Sequence, residues 1–285
     1  MSPIETPKSA AVRGALCDEI AAALESLWER RRPNDASMHE VRKDLKRARA
    51  ALRLLRDAVG DAAYERENLE LRDAARPLSG VRDAAVALEV LRGLLDEEKK
   101  PARRQKLAEL RRRLLEERER ARRKLFGGPK LAAIESSLQE AGVRAEYWRY
   151  PAHDAPLRAG LERLYRKGRK ALKAARSKGS TESLHESRKQ VKYLEQALAI
   201  AANGSRRLRK LSRRARKVAE RLGDDHDLAM LEARLAALPA RSKAQQKLIA
   251  GIEARRAKLQ KKALKLARRM YRRKAAAFVD RVVAG

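Results

Sequence analysis

Two histidines of this chain stand in nearly the same ten-residue phrase. Ser37-Met38-His39-Glu40-Val41-Arg42-Lys43-Asp44-Leu45-Lys46 returns as Ser183-Leu184-His185-Glu186-Ser187-Arg188-Lys189-Gln190-Val191-Lys192, 146 positions later (185 − 39). Serine, histidine, glutamate, arginine and both lysines recur in register. Arginine carries a fork of donors that fits phosphate or carboxylate oxygens in pairs, lysine a compact point charge, and histidine a ring N–H. What these types do together is hold an anion. With only 4 histidines in the chain, two in one repeated pattern point to a duplicated unit.

The spacing puts the donors on one face. Each helical residue advances by roughly 100°. Seen from His39, the side chains of Arg42, Lys43, Lys46, Arg49 and Arg53 share one arc, and Met38, Val41, Leu45, Leu52 and Val59 fill the adjacent one. His185, Arg188, Lys189 and Lys192 repeat the arc beside Leu184, Val191, Leu194 and Leu198. A basic stripe bordering an apolar one faces a groove between helices. Arg166, Arg169, Lys170, Lys173 and Arg176 form a further stripe, as do Lys210, Arg213, Arg214 and Lys217 with Arg206 and Arg209. Between Leu157 and Leu222 the only acids are Glu162, Glu182, Glu186, Glu195 and Glu220, too few to neutralise these stripes by pairing along the helix. Stacked together, they would line a positive channel.

Ser37 with Glu40, and Ser183 with Glu186, fit a capping box. That reading starts a helix at each serine and puts each histidine in a first turn, where unpaired N–H groups and the helix dipole favour anions. The same dipole lowers a histidine pKa, so a neutral, donating ring is expected before any polyanion binds.

Composition agrees. The chain carries 70 Lys+Arg against 38 Asp+Glu, a formal net charge of +32 on 285 residues. Self-repulsion at that density calls for a densely negative partner: nucleic acid, an acidic surface or a phosphate polymer. Hydrophobic residues at 44% allow a packed core, while aromatics are only 4%, and Leu, Ala, Arg, Lys and Glu dominate, as in long helices. Cys17 is the single cysteine, which excludes an intramolecular disulfide or cysteine-based zinc site and reads as a small buried hydrophobe. Met1-Ser2-Pro3-Ile4-Glu5 lacks the basic start and apolar run of a signal peptide, and no stretch is apolar enough to span a bilayer. A soluble, cytoplasmic protein without a membrane partner is expected.

Periodicity and breakers predict an all-α chain, since alternating β-branched runs are absent. Helices are expected over 12–32 and from Ser37, with breaks at Gly60-Asp61, Pro77 to Gly80 and Pro101. A long helix runs over 102–126 and Gly127-Gly128-Pro129 closes a first half, 10–128. The segment 129–155, with a short helical pattern at 131–138, reads as a linker. The second half, 156–285, is expected to hold helices at 156–176, 183–201, 205–222 and 227–238, then a final long one from Ala240.

These residues resemble the CHAD family, the conserved histidine α-helical domain. The resemblance rests on the paired His-x-x-Arg-Lys-x-x-Lys helices. It also rests on Leu78-Ser79-Gly80-Val81-Arg82-Asp83 and Leu222-Gly223-Asp224-Asp225-His226-Asp227, each similar to the family's Leu-Gly-x-x-x-Asp turn, and on Tyr165-Arg166-Lys167-Gly168-Arg169. It covers nearly the whole chain, 1–285, as one domain. It implies two four-helix-bundle halves related by a pseudo-two-fold axis around a basic central cavity. It further implies binding of inorganic polyphosphate and targeting to polyphosphate granules. By motif it carries over His39, Arg42, Lys43, Lys46, His185, Arg188, Lys189 and Lys192 as ligand contacts, followed by Arg169, Lys170 and Lys173. The stripes add Arg49, Lys210, Arg213, Arg214 and Lys217. Asp83 and Asp227 take an orienting or capping role, and the sparse basic residues of the first helix imply a cavity weighted to the second half.

Catalysis, metal and cofactor are not expected. The triphosphatase domain fused to some relatives carries Glu-x-Glu-x-Lys; Glu65-Arg66-Glu67-Asn68-Leu69 lacks the lysine. No phosphate-binding Gly-x-x-x-x-Gly-Lys loop is present, and Asp224-Asp225-His226-Asp227 reads as a capping and ion-pairing cluster at a helix start. The alternatives are a basic helical nucleic-acid binder, disfavoured by few stacking aromatics, and a polyphosphate-processing enzyme. Non-specific nucleic-acid association at low salt follows from charge alone.

Overall fold

The structure, a computed structural model, describes residues 8–28, 35–149, 155–202, 205–239 and 242–283. Eleven helices and no strand are found among them: α1 (Lys8–Trp28), α2 (Asp35–Val59), α3 (Asp61–Ala75), α4 (Ser79–Glu97), α5 (Pro101–Phe126), α6 (Lys130–Glu146), α7 (Ala155–Lys178), α8 (Thr181–Ile200), α9 (Arg206–Ala236), α10 (Lys243–Met270) and α11 (Ala275–Val283). The all-helical expectation is met.

Local chemistry sets the ends. Pro101 opens α5 at its first turn, where its missing N–H costs nothing. Ser180, Ser205 and Ser242 cap α8, α9 and α10, each hydroxyl accepting from the backbone N–H three residues on. Gly60 and Gly179, at φ 83° and 62°, end α2 and α7 in a conformation that costs a β-carbon dearly.

Four expectations change. The cap of α8 is Ser180, not Ser183, so the box serine is the third residue of the helix and His185 the fifth. α2 likewise begins by Asp35, two residues before Ser37. Both histidines therefore sit a turn deeper than the capping-box pattern implied. Secondly, α9 runs unbroken through Leu222-Gly223-Asp224 for 31 residues, about 46 Å at 1.5 Å per residue. Asp224 to Asp227 are thus mid-helix and cap nothing. Thirdly, 130–146 of the expected linker is a full helix whose Ile134, Leu138, Ala141 and Ala145 are buried, and which packs on α1 and α3. Arg144 binds Glu67 through two bonds of 2.8 and 3.0 Å and also meets Glu70. Finally, the C-terminal helix is interrupted between Met270 and Ala275. His153 lies outside the described residues.

Two apolar cores result, and each draws on both halves of the chain. The larger includes Leu16, Leu45, Leu55, Leu138, Tyr165, Leu194 and Leu222; the smaller joins α4 and α5 to the C-terminal part of α9 and α10 through Leu91, Leu110, Leu231 and Ile252. α2 packs directly on both α7 and α8. Gly160 makes the α2–α7 crossing close: a β-carbon there would stand 2.7 Å from the Leu54 carbonyl oxygen. Across the same seam Arg163 grips Asp57 at 2.8 to 3.0 Å. Cys17 is partly buried against the larger core, and burial raises its thiol pKa. No helix among the described residues is long and apolar enough to cross a membrane.

Candidate polyanion-binding site

The apolar arc of α2 is sealed: Met38, Val41, Leu45 and Leu52 have no exposed surface. Packing that arc turns the adjacent basic arc toward α8 and α4. On α8, buried Leu184, Val191, Leu194 and Leu198 do the same. The two histidine helices pack side by side, with α4 beside α2 and the long α9 behind α8.

Lys46 lies where the stripes meet. Its side chain is exposed to solvent. Crowding first, then the positive charges of Arg42, Arg188 and Lys192, push its pKa down to about 8, against a small opposing pull from Asp83. Crowding disfavours the charged ammonium, and the three neighbouring cations act in the same direction.

Not every cation nearby is free. Lys43 is bound by Glu40, and Lys189 by Glu186 at 2.6 Å, each along its own helix. Lys192 reaches the buried Glu195 carboxylate at 2.9 Å, which Arg216 shares at 3.3 Å. Arg42 donates to the Ala75 carbonyl at 3.2 Å and to the Ser79 hydroxyl, and stands 4.0 Å from Asp83. Arg188 lies over Gly223, its Nε 3.5 Å from where a β-carbon would be, and makes no hydrogen bond or ion pair among the described residues. Lys46 has none either. Of Arg42, Lys43, Lys46, Arg188, Lys189 and Lys192, only Lys46 and Arg188 are uncommitted among the described residues.

His39 is half-buried and its pKa falls through burial first and the neighbouring Arg82 second. His185 is lowered by burial and then by Arg188 and Lys189. It faces a third ring, His226 of α9, at 4.4 Å between centroids and 39° between planes. Burial, then His185, Arg188 and Arg256, push His226 down to about 4. Both Nδ1 atoms of that pair are enclosed and without a protein partner. The lowered direction agrees with the sequence reading, but burial and cations cause it in place of a first-turn dipole. Asp227 stands among Arg188, Asp224, Arg82 and Asp83, its carboxyl pushed up chiefly by burial. The Asp83 contact to Arg42 fits an orienting role.

The other expected residues lie elsewhere. Arg49 donates to Asn68 at 3.2 Å, turning toward α3, and Arg53 stacks 3.8 Å over the Tyr193 ring. Arg169, Lys170 and Lys173 are exposed on α7 without a contact to the histidine cluster. Lys210, Arg214 and Lys217 line a separate cavity with α10 and α11, and Arg213 is exposed outside it. Asp225 is buried and held by Arg256 at 3.1 Å and Gln260 at 2.8 Å. It is therefore spent on an ion pair, and among the described residues no group of three His, Cys, Asp or Glu could hold a metal ion. Glu67 of the Glu-x-Glu run is 2% exposed and committed to Arg144. Sequence reasoning did not single out Glu195, Ser79 or Gly223. The spacing of Glu195 three residues after Lys192 carried the signal for the first.

The CHAD domain family matches residues 14–236 of this sequence. The chain belongs to the CHAD family. Two solved structures superpose on it. One is PptA from Streptomyces chartreusis, 15% identical, covering 94% of this chain and 100% of its own, with a TM-score of 0.67. Another is the CHAD domain from the plant Ricinus communis, 19% identical, covering 94% and 92%, with a TM-score of 0.63. At those identities the likeness concerns the fold. No curated protein matches the sequence. In this CHAD chain the two helices that carry the repeated histidine phrase, α2 and α8, pack against each other.

Proposed function

We propose that this CHAD protein binds inorganic polyphosphate between its two histidine helices, as a non-catalytic module of the cytoplasm that joins or organises polyphosphate granules. On this reading the halves 10–128 and 156–285 face each other, in a pseudo-two-fold arrangement, across a central basic cavity. The observation that carries it is the packing of α2 on α8, which brings Lys46 and Arg188 near each other, neither making a hydrogen bond or ion pair among the described residues. A chain of phosphates repeats a negative charge at short intervals and can meet Lys46 and Arg188 at once while recruiting Arg42 from its neutral partners. Contacts would be charge-assisted and binding would release counter-ions, so affinity should fall steeply with salt.

The net charge of +32 equally favours duplex DNA or RNA, so the test includes both. Fluorescence anisotropy with labelled long-chain polyphosphate near physiological salt, competed by DNA, RNA and ATP, should give binding displaced by polyphosphate alone. The variant with His39, Arg42, Lys46, Arg188 and Lys192 charge-reversed should lose it. Undiminished affinity in that folded variant removes the site. Equal displacement by DNA or RNA makes the protein a general polyanion binder, and phosphate release with divalent metals would overturn the non-catalytic assignment.

A further inference from the structure

A basic cavity lies between α9, α10 and α11, lined by none of the histidine-helix residues. It encloses about 700 Å³, well within the range of ligand-sized cavities. Its walls carry eight Lys and Arg side chains, among them Lys210, Arg214, Lys217, Arg269 and Arg281, and no acidic residue. None of the eight is ion-paired among the described residues. Its floor is apolar, built from Leu211, Val218, Leu266, Phe278 and Val282.

The walls are braced in place. Arg207 ties α9 to α11 by donating to the Arg281 carbonyl at 2.5 Å. The Tyr165 hydroxyl donates to the Met270 carbonyl at 3.0 Å and accepts from the Arg273 N–H at 3.3 Å, pinning the α10–α11 turn. The Tyr165 ring stacks on Phe278 at 4.0 Å. The α10 and α11 walls, residues 266–282, lie beyond the family match at 14–236.

We infer that this cavity binds a single-chain anionic amphiphile, of the alkyl or acyl phosphate class. Like charges around a concave, low-dielectric floor focus a strong positive potential that an anionic head satisfies. A bare phosphate polymer would leave the apolar floor in contact with water or anions and gain nothing from it. A nucleotide would bring base N–H donors to a lining whose side chains offer no nitrogen or oxygen acceptor. An aliphatic tail asks for no polar partner, and its burial is favourable in proportion to its length.

Calorimetric titration of the full chain with octyl, decyl and dodecyl phosphate, each below its micellar concentration, tests this. Inorganic phosphate and long-chain polyphosphate serve as the tail-free probes. Saturable one-to-one binding is expected, tightening up to about tenfold for every two methylenes. Inorganic phosphate should bind at least about a hundredfold more weakly than dodecyl phosphate. Replacing the exposed pair Lys217→Gln and Arg269→Gln should weaken every alkyl phosphate about tenfold or more, and Leu266→Trp, which fills the floor, should flatten the chain-length dependence. Arg42→Gln with Arg188→Gln should leave these affinities unchanged, so failure here is separable from failure of the polyphosphate site. An affinity independent of tail length, full binding by the Lys217/Arg269 variant, or loss in the Arg42/Arg188 variant would each overturn the assignment.

Discussion

The same phrase, written twice, ends in two different electrostatic settings. Beside His39 stands Arg82, a permanent cation, and Arg42 is anchored on Ser79 and the Ala75 carbonyl, at the break between α3 and α4. Beside His185 stands His226 at 4.4 Å, and Arg188 lies unanchored over Gly223 in the middle of a continuous helix. Lys46 of the first copy is uncommitted, whereas its counterpart Lys192 is held by buried Glu195. The first setting offers a fixed positive charge. The second offers a guanidinium unpaired among the described residues and a pair of titratable rings. Repetition of a motif thus conserves donors without conserving their availability, because availability depends on residues outside the motif.

The sharpest way to break that comparison is to remove free and engaged cations separately. Lys46→Glu with Arg188→Glu should weaken polyphosphate binding by about a hundredfold or more, at roughly tenfold for each charged contact, and flatten the salt dependence. Lys43→Glu with Lys189→Glu, whose ammonium groups already serve Glu40 and Glu186, should cost less than about fivefold. Anisotropy across a salt series distinguishes them, and equal losses would erase the distinction.

Stability should divide Lys46 from Lys192. Lys192→Met leaves the Glu195 carboxylate, 3% exposed, with Arg216 as its sole cation. It should lose about 1–2 kcal/mol in urea denaturation. Lys46→Met relieves repulsion and should leave stability unchanged or raised.

The titratable rings should respond to pH. A histidine driven from 6.5 to about 4 stays neutral in the fold while the unfolded chain takes up a proton. The His226 contribution, about 1–2 kcal/mol after allowance for its partly open ring, is therefore lost as pH falls from about 6.5 toward 4 and changes no further below that. His226→Gln should shrink that loss in melting curves across the window. Polyphosphate affinity should move oppositely, rising as pH falls, because a bound polyanion favours the charged rings; His226→Gln should blunt the rise. The smallest effect is expected from Gly223→Ser, which offers Arg188 a hydroxyl such as Arg42 already has. A change in affinity below about threefold should result, as the guanidinium keeps its charge and exchanges solvent for a neutral partner.

Much of the fold was legible from periodicity. The helices read at 102–126 and 156–176 match α5 and α7 within two residues at each end, because a core-facing leucine stripe and a proline or glycine at the end are local signals. Where local signals competed, the reading slipped. Ser183 and Glu186 looked like a box, yet Ser180 lies three residues earlier and takes the cap, leaving Glu186 to Lys189 and Gln190. Gly223 before two aspartates looked like a helix end. It lies instead in the middle of α9, within van der Waals reach of Arg188, and Asp225 is held from α10 by Arg256. α6 was reduced to a fragment because its buried face is short and rich in alanine, and its anchor, Glu67, lies 77 residues from Arg144.

What the sequence by itself determined is the supply: a large excess of cations, their register beside an apolar stripe, and the doubling of a histidine phrase. Those follow from residue types and a helical period, which need no partner. Tertiary structure decided which cations are left over. Ser79 claims Arg42, Arg216 reaches from α9 to share Glu195, and three stripe residues line a cavity with α10 and α11. The reason is physical: a charge is spent or spare according to what lies within a few ångströms of it, and for Arg42 and the three cavity residues those neighbours come from distant parts of the chain.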